Sequence, residues 1–390
     1  MRYKLRDIFD LQMGKTPSRN NPNYWNSDDH KWISIADLSK TGKYISETKE
    51  CLSECAIEES GIKAIPANTV IMSFKLSIGK TAITAEDMYS NEAIMAFYDK
   101  HVAELLPEYI YYLFTYKNWN EGSNKAVMGK TLNKTTLSEV EIDICSVERQ
   151  REIIEVLDRT KQIVSDRENQ VRLFATLIRA RFVEMFGNPI SNPKGWDKVI
   201  LNDCLDSIDN GKSPICAGNA RIGENPAILK LSAVSSGIYR PDENKAIINI
   251  NDFIENAEVH NGDLLFTRKN TPELVGMATY VFSTPKNLMM PDLIFRLNTK
   301  EICSKIFLWQ LINHNLFRGK VQNIASGSAK SMSNISKERL GKMSIYLPPI
   351  ELQNQFAEFV KATDKSKAAI QKSLDETQLL FDSLMQKYFG

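Results

Sequence analysis

The sequence lacks the features that would assign it to several broad classes at once. No stretch reaches the roughly 18 consecutive apolar residues that a membrane span requires. Residues 1–6 carry charges and lead into no apolar segment, so we expect no signal peptide and a cytoplasmic location. The chain has only 4 His, and its 6 Cys are scattered over 390 residues, which indicates reduced structural thiols and no disulfide framework.

The chain also lacks an excess of charge of either sign. Lys and Arg number 49 and Asp and Glu number 48, so the formal net charge is +1. A uniformly basic nucleic-acid-binding surface is therefore excluded, although a local basic surface is not. Hydrophobic residues make up 43% and charged residues 25%, which excludes a disordered, collagenous or wholly coiled-coil chain. The length of 390 residues predicts two to three domains.

Catalytic motifs are missing too. Gly-Lys-Thr or Gly-Lys-Ser begins at Gly14, Gly79, Gly129 and Gly211, but no glycine stands five residues before any of them, as a phosphate-binding loop requires. These tripeptides therefore indicate turns followed by a basic residue.

Other candidate sites fail for similar reasons. The segment 21–24 (Asn-Pro-Asn-Tyr) differs in its third residue from the adenine-methyltransferase signature, and no glycine-rich cofactor loop precedes it, so we interpret it as a turn. The nuclease-like carboxylate and lysine sets at Asp292 and at 241–245 lack an acid or the required spacing. Cys51 and Cys55 have no second ligand pair for zinc. We therefore predict a chain that is not an enzyme and binds no metal or cofactor.

An internal repeat is the strongest feature that is present. Gln150 and Gln353 are 203 positions apart, and other residues coincide at the same offset without a gap. The identical pairs include Ser123/Ser326, Ala126/Ala329, Leu137/Leu340, Ile142/Ile345, Glu148/Glu351, Glu155/Glu358, Thr160/Thr363, Leu177/Leu380, Phe186/Phe389 and Gly187/Gly390.

The regions before these pairs agree more loosely. Residues 14–17 (Gly-Lys-Thr-Pro) correspond to 211–214 (Gly-Lys-Ser-Pro), and the offset drifts elsewhere, which indicates loops of different length. The chain is therefore organised as A–B–A′–B′. We predict domain 1 at 1–146, a first helix at 147–187, domain 2 at 188–349 and a second helix at 350–390.

The B segments are predicted to be long helices. Neither Pro nor Gly occurs from Glu148 to Phe186, and apolar residues from Leu157 to Met185 recur every seven positions. A helix of about 40 residues would be ~60 Å long. These recurring apolar residues form a seam along one face of the helix. Each seam could pack on its own domain, or the two helices could pack together as an antiparallel pair with pseudo-twofold symmetry. The repeat favours the second arrangement.

The A segments are predicted to be mixed α/β domains, which makes the fold class α+β. Each contains short segments rich in β-branched and aromatic residues, followed by one helix. The predicted strands are 32–36, 69–74, 81–85 and 93–98 in domain 1 and 228–234, 263–267, 277–282 and 293–297 in domain 2, with helices at 108–119 and 302–317.

Two similar modules at a set separation would suit a bipartite DNA target, since a helical spacer could fix the distance between half-sites. Because the two A segments differ, the target should be asymmetric. Loops rich in Lys, Arg, Asn and Ser could contact phosphates and base edges. The candidate DNA-binding residues are Lys15, Thr16, Arg19, Asn20, Lys75, Lys80, Lys125, Lys130, Lys212, Arg268, Lys269, Asn270, Lys320, Ser326, Ser328 and Lys330.

The chain resembles the specificity (S) subunits of Type I restriction-modification systems, which act in defence against foreign DNA. The resemblance covers essentially the whole chain and rests on Gly14-Lys15-Thr16-Pro17, on Ser326-Gly327-Ser328, on 345–349 (Ile-Tyr-Leu-Pro-Pro) followed by 351–353 (Glu-Leu-Gln), and on 186–189 (Phe-Gly-Asn-Pro) followed by 192–196 (Asn-Pro-Lys-Gly-Trp).

The resemblance implies two target recognition domains, each reading one half of a split double-stranded DNA site. It implies that the helices set the spacing and bind two modification (M) subunits. S-adenosylmethionine, ATP and Mg are then expected on the M subunits and on the restriction (R) subunits. The two repeats differ at some of these positions: the first has Asn124 where the second has Gly327, and it has Cys145-Ser146 where the second has Pro348-Pro349. A free-standing DNA-binding regulator and a protein-interaction scaffold remain as alternatives.

Overall fold

Two long helices form in the segments that the sequence predicts, Val147–Phe186 and Ile350–Phe389. A computed structural model of the chain describes residues 1–75, 77–119, 132–326 and 332–390. These residues divide into two units, of which unit 1 comprises Met1–Arg167 and Lys372–Gly390 and unit 2 comprises Glu168–Gln371. Each unit therefore contains one predicted domain together with part of each long helix.

Domain 1 is a mixed α/β domain, as predicted. The strands of its described residues form three sheets: a pair in the order β1-β10, five strands in the order β2-β9-β6-β7-β4, and three in the order β5-β3-β8. The elements up to the first long helix are β1 (Arg2–Lys4), α1 (Leu5–Ile8), β2 (Phe9–Met13), β3 (Trp25–Ile33), α2 (Ile35–Leu38), β4 (Tyr44–Ile45), β5 (Glu50–Leu52), α3 (Glu54–Ser60), β6 (Val70–Ser73), β7 (Thr81–Thr84), β8 (Tyr89–Ser90), β9 (Ile94–Asp99), α4 (Pro107–Tyr116), α5 (Lys134–Ser138), β10 (Glu141–Asp143) and α6 (Val147–Phe186).

Domain 2 repeats this topology with different loops. Its main sheet has the order β12-β19-β15-β17, which matches β2-β9-β6-β7, and smaller sheets have the orders β11-β21, β14-β13-β18 and β16-β20. The elements are β11 (Asp197–Ile200), β12 (Leu205–Asn210), β13 (Ala227–Leu229), α7 (Ser232–Ser235), β14 (Asn244–Ala246), β15 (Leu264–Thr267), β16 (Lys269–Asn270), β17 (Ala278–Tyr280), β18 (Leu288–Met289), β19 (Ile294–Thr299), α8 (Lys305–Asn313), α9 (Asn315–Asn323), β20 (Ser333–Asn334), α10 (Lys337–Gly341), β21 (Ser344–Leu347) and α11 (Ile350–Phe389).

The ends of α6 have local causes in the sequence. The Ser146 carbonyl accepts from the Gln150 amide at 2.9 Å, and the Ser146 hydroxyl accepts from the Arg149 amide, which caps the first turn. At the other end, Gly187 adopts φ 79° while its amide donates to the Val183 carbonyl. A glycine tolerates this left-handed conformation, which is the usual way to end a helix.

In each unit the helices pack against the domain and against each other, so both predicted arrangements of the seam occur together. In unit 1, Ile153 and Leu157 of α6 and Met385 of α11 belong to the same buried cluster as the residues of domain 1. In unit 2, Phe182 of α6 and Phe356 of α11 join the domain 2 core in the same way.

The helix pairing is antiparallel. In unit 1, the Arg149 guanidinium lies 5.5 Å from the ring centroid of Tyr388 near one end of the contact. At the other end, Arg167 Nη1 donates to the Ser373 carbonyl at 2.5 Å. Residue numbers therefore rise along one helix as they fall along its partner. The fold class predicted from the sequence is confirmed.

Three predicted elements are wrong in detail. The strand predicted at 32–36 ends at Ile33, because the Ser34 hydroxyl accepts from the Asp37 amide and starts a short helix. The strand predicted at 228–234 ends at Leu229 before the turn of α7. The helix predicted at 302–317 breaks into α8 and α9 at His314, whose backbone is extended at φ −64° and ψ 129°.

Candidate nucleic-acid interface

The turns that begin at Gly14 and Gly211 are held in the same way in the two domains. A Cβ on Gly14 would lie 2.2 Å from the Ser90 carbonyl oxygen, and one on Gly211 would lie 2.2 Å from that of Met290. The Lys15 amide donates to the Ser90 carbonyl at 2.8 Å, and the Lys212 amide donates to the Met290 carbonyl at 3.2 Å. Glycine is required here because two backbone segments approach too closely for any side chain.

The hydroxyl at the third position of each turn bonds to a carboxylate. Thr16 Oγ1 donates to Glu92 Oε2 in domain 1, and Ser213 Oγ donates to Asp292 Oδ1 in domain 2. The Asp292 amide in turn donates to Ser213 Oγ at 3.2 Å. Neither carboxylate is among the DNA contacts predicted from the sequence, because only basic, amide and hydroxyl side chains were considered for that role; Asp292 was considered only in a nuclease-like set.

Several predicted residues of domain 1 lie around the Glu92 carboxylate. The hydrogen bond from Thr16 lowers the pKa of Glu92, and the nearby cations of Lys75 and Arg19 lower it further. Lys75 belongs to the connection between β6 and β7, as the sequence predicts for that pair of strands. The Glu92 carboxylate can accept hydrogen bonds from amino groups, and the cations of Lys75 and Arg19 can bind phosphates.

Arg19 is exposed, but aromatic and carboxylate contacts hold its guanidinium group. Its guanidinium carbon lies 3.7 Å from the ring centroid of Trp25 and 5.0 Å from that of Trp32. Two of its nitrogens donate to the two oxygens of Glu50 at 2.6 and 3.1 Å. This planar stack and bidentate pair fix the side chain in one orientation, at the cost of engaging its charge with Glu50.

The remaining described candidates of domain 1, Lys15, Asn20 and Lys80, are exposed. Lys15 is exposed and its Nζ donates to the Ser60 carbonyl. Asn20 and Lys80 are exposed, Asn20 in a turn and Lys80 next to the start of β7. Lys125 and Lys130 lie outside the described residues.

In domain 2, Arg268, Lys269 and Ser326 meet around Asn334. Lys269 pairs with Asn334 in the two-stranded sheet, and the Ser326 amide donates to the Asn334 carbonyl at 2.8 Å. The Arg268 guanidinium carbon lies 5.0 Å from the ring centroid of Phe295. On the same ring, Lys337 Nζ lies at 5.9 Å, so two cations flank one aromatic side chain that the sequence analysis did not select.

Two other candidates of domain 2 have structural partners. Asn270 is buried, and its Nδ2 donates to Ser235 Oγ at 2.8 Å, so it stabilises the loop from inside. Lys320 belongs to α9 and donates to Ser344 Oγ at 3.1 Å, while burial lowers its pKa. Lys212 is exposed beside Ser213. Ser328 and Lys330 lie outside the described residues.

Both long helices carry exposed apolar side chains that do not belong to the buried seams. Leu177 is 48% exposed in unit 2, and its repeat counterpart Leu380 is 53% exposed in unit 1. Leu173 is also exposed near Leu177, and Leu379 is exposed next to Leu380. Each unit therefore carries exposed leucines at an equivalent position of one long helix.

The described ranges contain no group of three or more His, Cys, Asp or Glu side chains placed to hold a metal ion. Within the same ranges, no helix combines the length and the apolar character that crossing a membrane requires.

Comparison with known proteins gives one family. The profile of the family described as Type I restriction modification DNA specificity domain matches residues 1–173 and 193–377. The specificity subunit of the Type I restriction enzyme EcoEI from Escherichia coli is 33% identical over 204 residues, which cover 50% of this chain and 34% of that protein. The specificity subunit of the Type I restriction enzyme MjaIX from Methanocaldococcus jannaschii is 28% identical over 229 residues, covering 54% of this chain and 52% of that protein. The match to these two relatives thus spans a third to about half of their length.

The fold is similar to that of solved structures along its whole length. The S subunit of a Type I restriction-modification system from M. genitalium aligns with a TM-score of 0.60 at 12% identity, covering 100% of this chain and 96% of that one. A chain from a study of the assembly and conformational transition of the Type I R-M system aligns with a TM-score of 0.60 at 16% identity, covering 100% and 97%.

Proposed function

The chain belongs to the Type I restriction modification DNA specificity domain family, and on that basis we propose that it is the DNA-specificity subunit of a Type I restriction-modification complex. Each domain reads one half of an asymmetric bipartite double-stranded DNA target. The helices α6 and α11 set the spacing between the half-sites and dock two M subunits. R subunits complete the complex, which acts in the cytoplasm.

One observation carries this proposal beyond the family resemblance. Two domains with different loops use the same glycine turn, with Lys15 or Lys212 next to it and a hydroxyl bonded to a carboxylate. The same turn is thus built twice with different surroundings, which supports an equivalent role in the two domains. Such an arrangement suits two readers of different sequences better than one reader of a symmetric site.

The residues that we propose for DNA contact fall into two groups. Lys15, Lys75, Lys80 and Lys212 would contact phosphates, which position the protein without reading sequence. Glu92 and Asp292 would accept hydrogen bonds from base amino groups, as carboxylates do with the cytosine N4 amino group in the major groove. Arg19, Asn20, Arg268, Lys269 and Ser326 complete the proposed contact surface, together with Lys125, Lys130, Ser328 and Lys330 from the sequence alone.

Catalysis in this proposal belongs to other subunits. The M subunits would carry S-adenosylmethionine and methylate adenine, and the R subunits would use ATP and Mg for translocation and cleavage. This chain would supply specificity and bind no cofactor. The exposed leucines at equivalent positions of α6 and α11 support two copies of the M subunit.

The proposal is tested by expressing the chain with its candidate M subunit and mapping methylated adenines in the host DNA. The expected result is a single asymmetric motif with a fixed gap between two specified halves. A regulator that needs no methyltransferase would instead bind DNA specifically by itself and leave no methylation. A protein-interaction scaffold would show no sequence preference in footprinting of a random library with M present.

A further inference from the structure

Gln150 is a buried glutamine that uses both of its amide donors and its carbonyl oxygen in three hydrogen bonds. It is 0% exposed, although it stands in the first turn of α6. Its Oε1 accepts from the Leu106 amide at 2.9 Å, and its Nε2 donates to the carbonyls of Glu104 at 2.8 Å and Cys145 at 3.0 Å. One side chain thus joins the loop that enters α4, the segment after β10 and the start of α6.

Gln353 does the same in unit 2. It is also 0% exposed. Its Oε1 accepts from the Ser304 amide at 2.9 Å, and its Nε2 donates to the carbonyls of Ile302 at 3.1 Å and Pro348 at 2.7 Å. Ser304 precedes α8 as Leu106 precedes α4, so the two glutamines make equivalent contacts.

An aromatic contact accompanies each glutamine. In unit 1, the rings of Tyr109 on α4 and Phe389 at the end of α11 have centroids 5.5 Å apart. In unit 2, the rings of Phe307 on α8 and Phe186 at the end of α6 have centroids 4.9 Å apart. In each unit, the segment that enters the domain helix therefore bonds to the first turn of one long helix through Gln, and the domain helix contacts the last turn of the other through Phe.

All six partners of the two glutamines are backbone atoms. The side chains at those partner positions differ between the repeats, as Leu106 and Ser304 or Cys145 and Pro348 show. A backbone partner keeps its hydrogen bond when its side chain changes. This explains how the contact persists between two domains whose other residues have diverged.

From these contacts we propose that Gln150 and Gln353 are positioning residues that fix the orientation of each recognition domain on its own helices. The inference rests on the proposed function, because the orientation matters through the gap between half-sites. Removing the three hydrogen bonds would leave the domain attached by apolar contacts, which are less directional than hydrogen bonds. The domain could then rock on its helices and accept targets with an altered gap.

The test uses the complex of the full chain with its M subunits and DNA duplexes that carry the native target. Methylation rates are measured with the native gap and with gaps one base pair shorter and longer. Gln353→Met removes all three hydrogen bonds while keeping much of the volume, and Gln353→Asn keeps the amide on a shorter stem. We expect the preference for the native gap to fall on the order of tenfold in the Met variant and less in the Asn variant. Gln150→Met should act similarly through domain 1, and base preferences within each half-site should not change.

Leu229→Ala is the matched control, since Leu229 is buried in a domain 2 cluster that contains no residue of α6 or α11. It should lower the amount of active complex and leave the gap preference unchanged, because a ratio of rates does not depend on that amount. A wild-type gap preference in both Gln353 variants would overturn the inference. A wild-type complex that methylates without sequence preference would instead refute the proposed function.

Discussion

Replacing Gly211 by alanine tests whether the glycine turn positions Lys212 and Asp292, the DNA contacts proposed for domain 2. The new Cβ would lie 2.2 Å from the Met290 oxygen and 2.3 Å from the Pro291 oxygen. Real Cβ atoms essentially never approach another heavy atom more closely than 3.0 Å. The turn must therefore move by about 0.8 Å or more away from the loop that carries Asp292. Both neighbours are backbone atoms, so no flexible side chain can yield instead.

The displacement should break two contacts. The hydrogen bond between the Lys212 amide and the Met290 carbonyl is 3.2 Å long, and a bond of this kind contributes about 1 kcal/mol net. The bond from Ser213 to the Asp292 carboxylate is of the charged kind and contributes about 1.5–3 kcal/mol. The loss of both, about 3 kcal/mol, corresponds to a factor of roughly 100 in an equilibrium constant.

The assay compares the two halves of the target within one molecule. Methylation rates are measured for Gly211→Ala and for Gly14→Ala, on duplexes with single base changes in each half-site. We expect Gly211→Ala to weaken discrimination in one half, because the displaced loop no longer holds Asp292 in place; a base contact discriminates by about 1–3 kcal/mol, which is roughly tenfold to 100-fold. Gly14→Ala should weaken discrimination in the other half.

Two further glycines serve as controls. Gly218 in domain 2 and Gly42 in domain 1 have no atom within 4 Å of an added Cβ, so alanine there should change neither half. The reasoning is refuted if Gly14→Ala and Gly211→Ala affect the same half-site, or if neither affects discrimination.

Three other perturbations test separate parts of the structure. Leu177→Asp and Leu380→Asp place a charge on the exposed apolar positions of α6 and α11, and each should reduce co-purified M from two copies to one without unfolding the chain. Inserting seven residues into both long helices preserves the seam and adds ~10 Å to each, so the methylated motif should gain about three base pairs of gap; an unaltered gap would contradict a spacer role. Thr16→Val removes the donor that lowers the pKa of Glu92, so this pKa should rise in an NMR titration. Since the pKa of Glu92 is lowered on folding, its contribution to stability is present above its unfolded pKa and lost as the pH falls through the folded one, and the variant should lose less stability in acid than the parent.

The repeat and the helices could be predicted because their signals are periodic. The apolar positions of α6 from Leu157 to Met185 recur every seven residues, and both of these residues are buried in the structure. The strand at 32–36 was predicted wrongly because a short capping pair, Ser34 with Asp37, outweighs β propensity at that point. Periodicity reports a face that many residues share, whereas a cap depends on two.

The candidate site was harder to predict because its contacts join distant parts of the chain. Thr16 and Glu92 are 76 positions apart, and nothing in the spacing indicates that they meet. Arg268, Lys269 and Asn270 were predicted together as DNA-binding residues of one loop. Asn270 is buried, however, and its side-chain amide already donates to Ser235. Residue type predicts which side chains can bind DNA, while burial decides which of them are free to do so.

A comparison of the two repeats could also have predicted that Gln150 and Gln353 are structurally important. Gln150 and Gln353 stand in a repeat whose neighbouring loops have diverged, and a polar residue kept on the buried face of a helix should have a partner. The identity of that partner could not be inferred, because backbone groups carry no sequence signal. The same property has a consequence for the fold, since a domain joined through its backbone can change its surface residues without disturbing the joint. Two domains of one topology can therefore diverge toward different DNA sequences while the helices α6 and α11 stay alike.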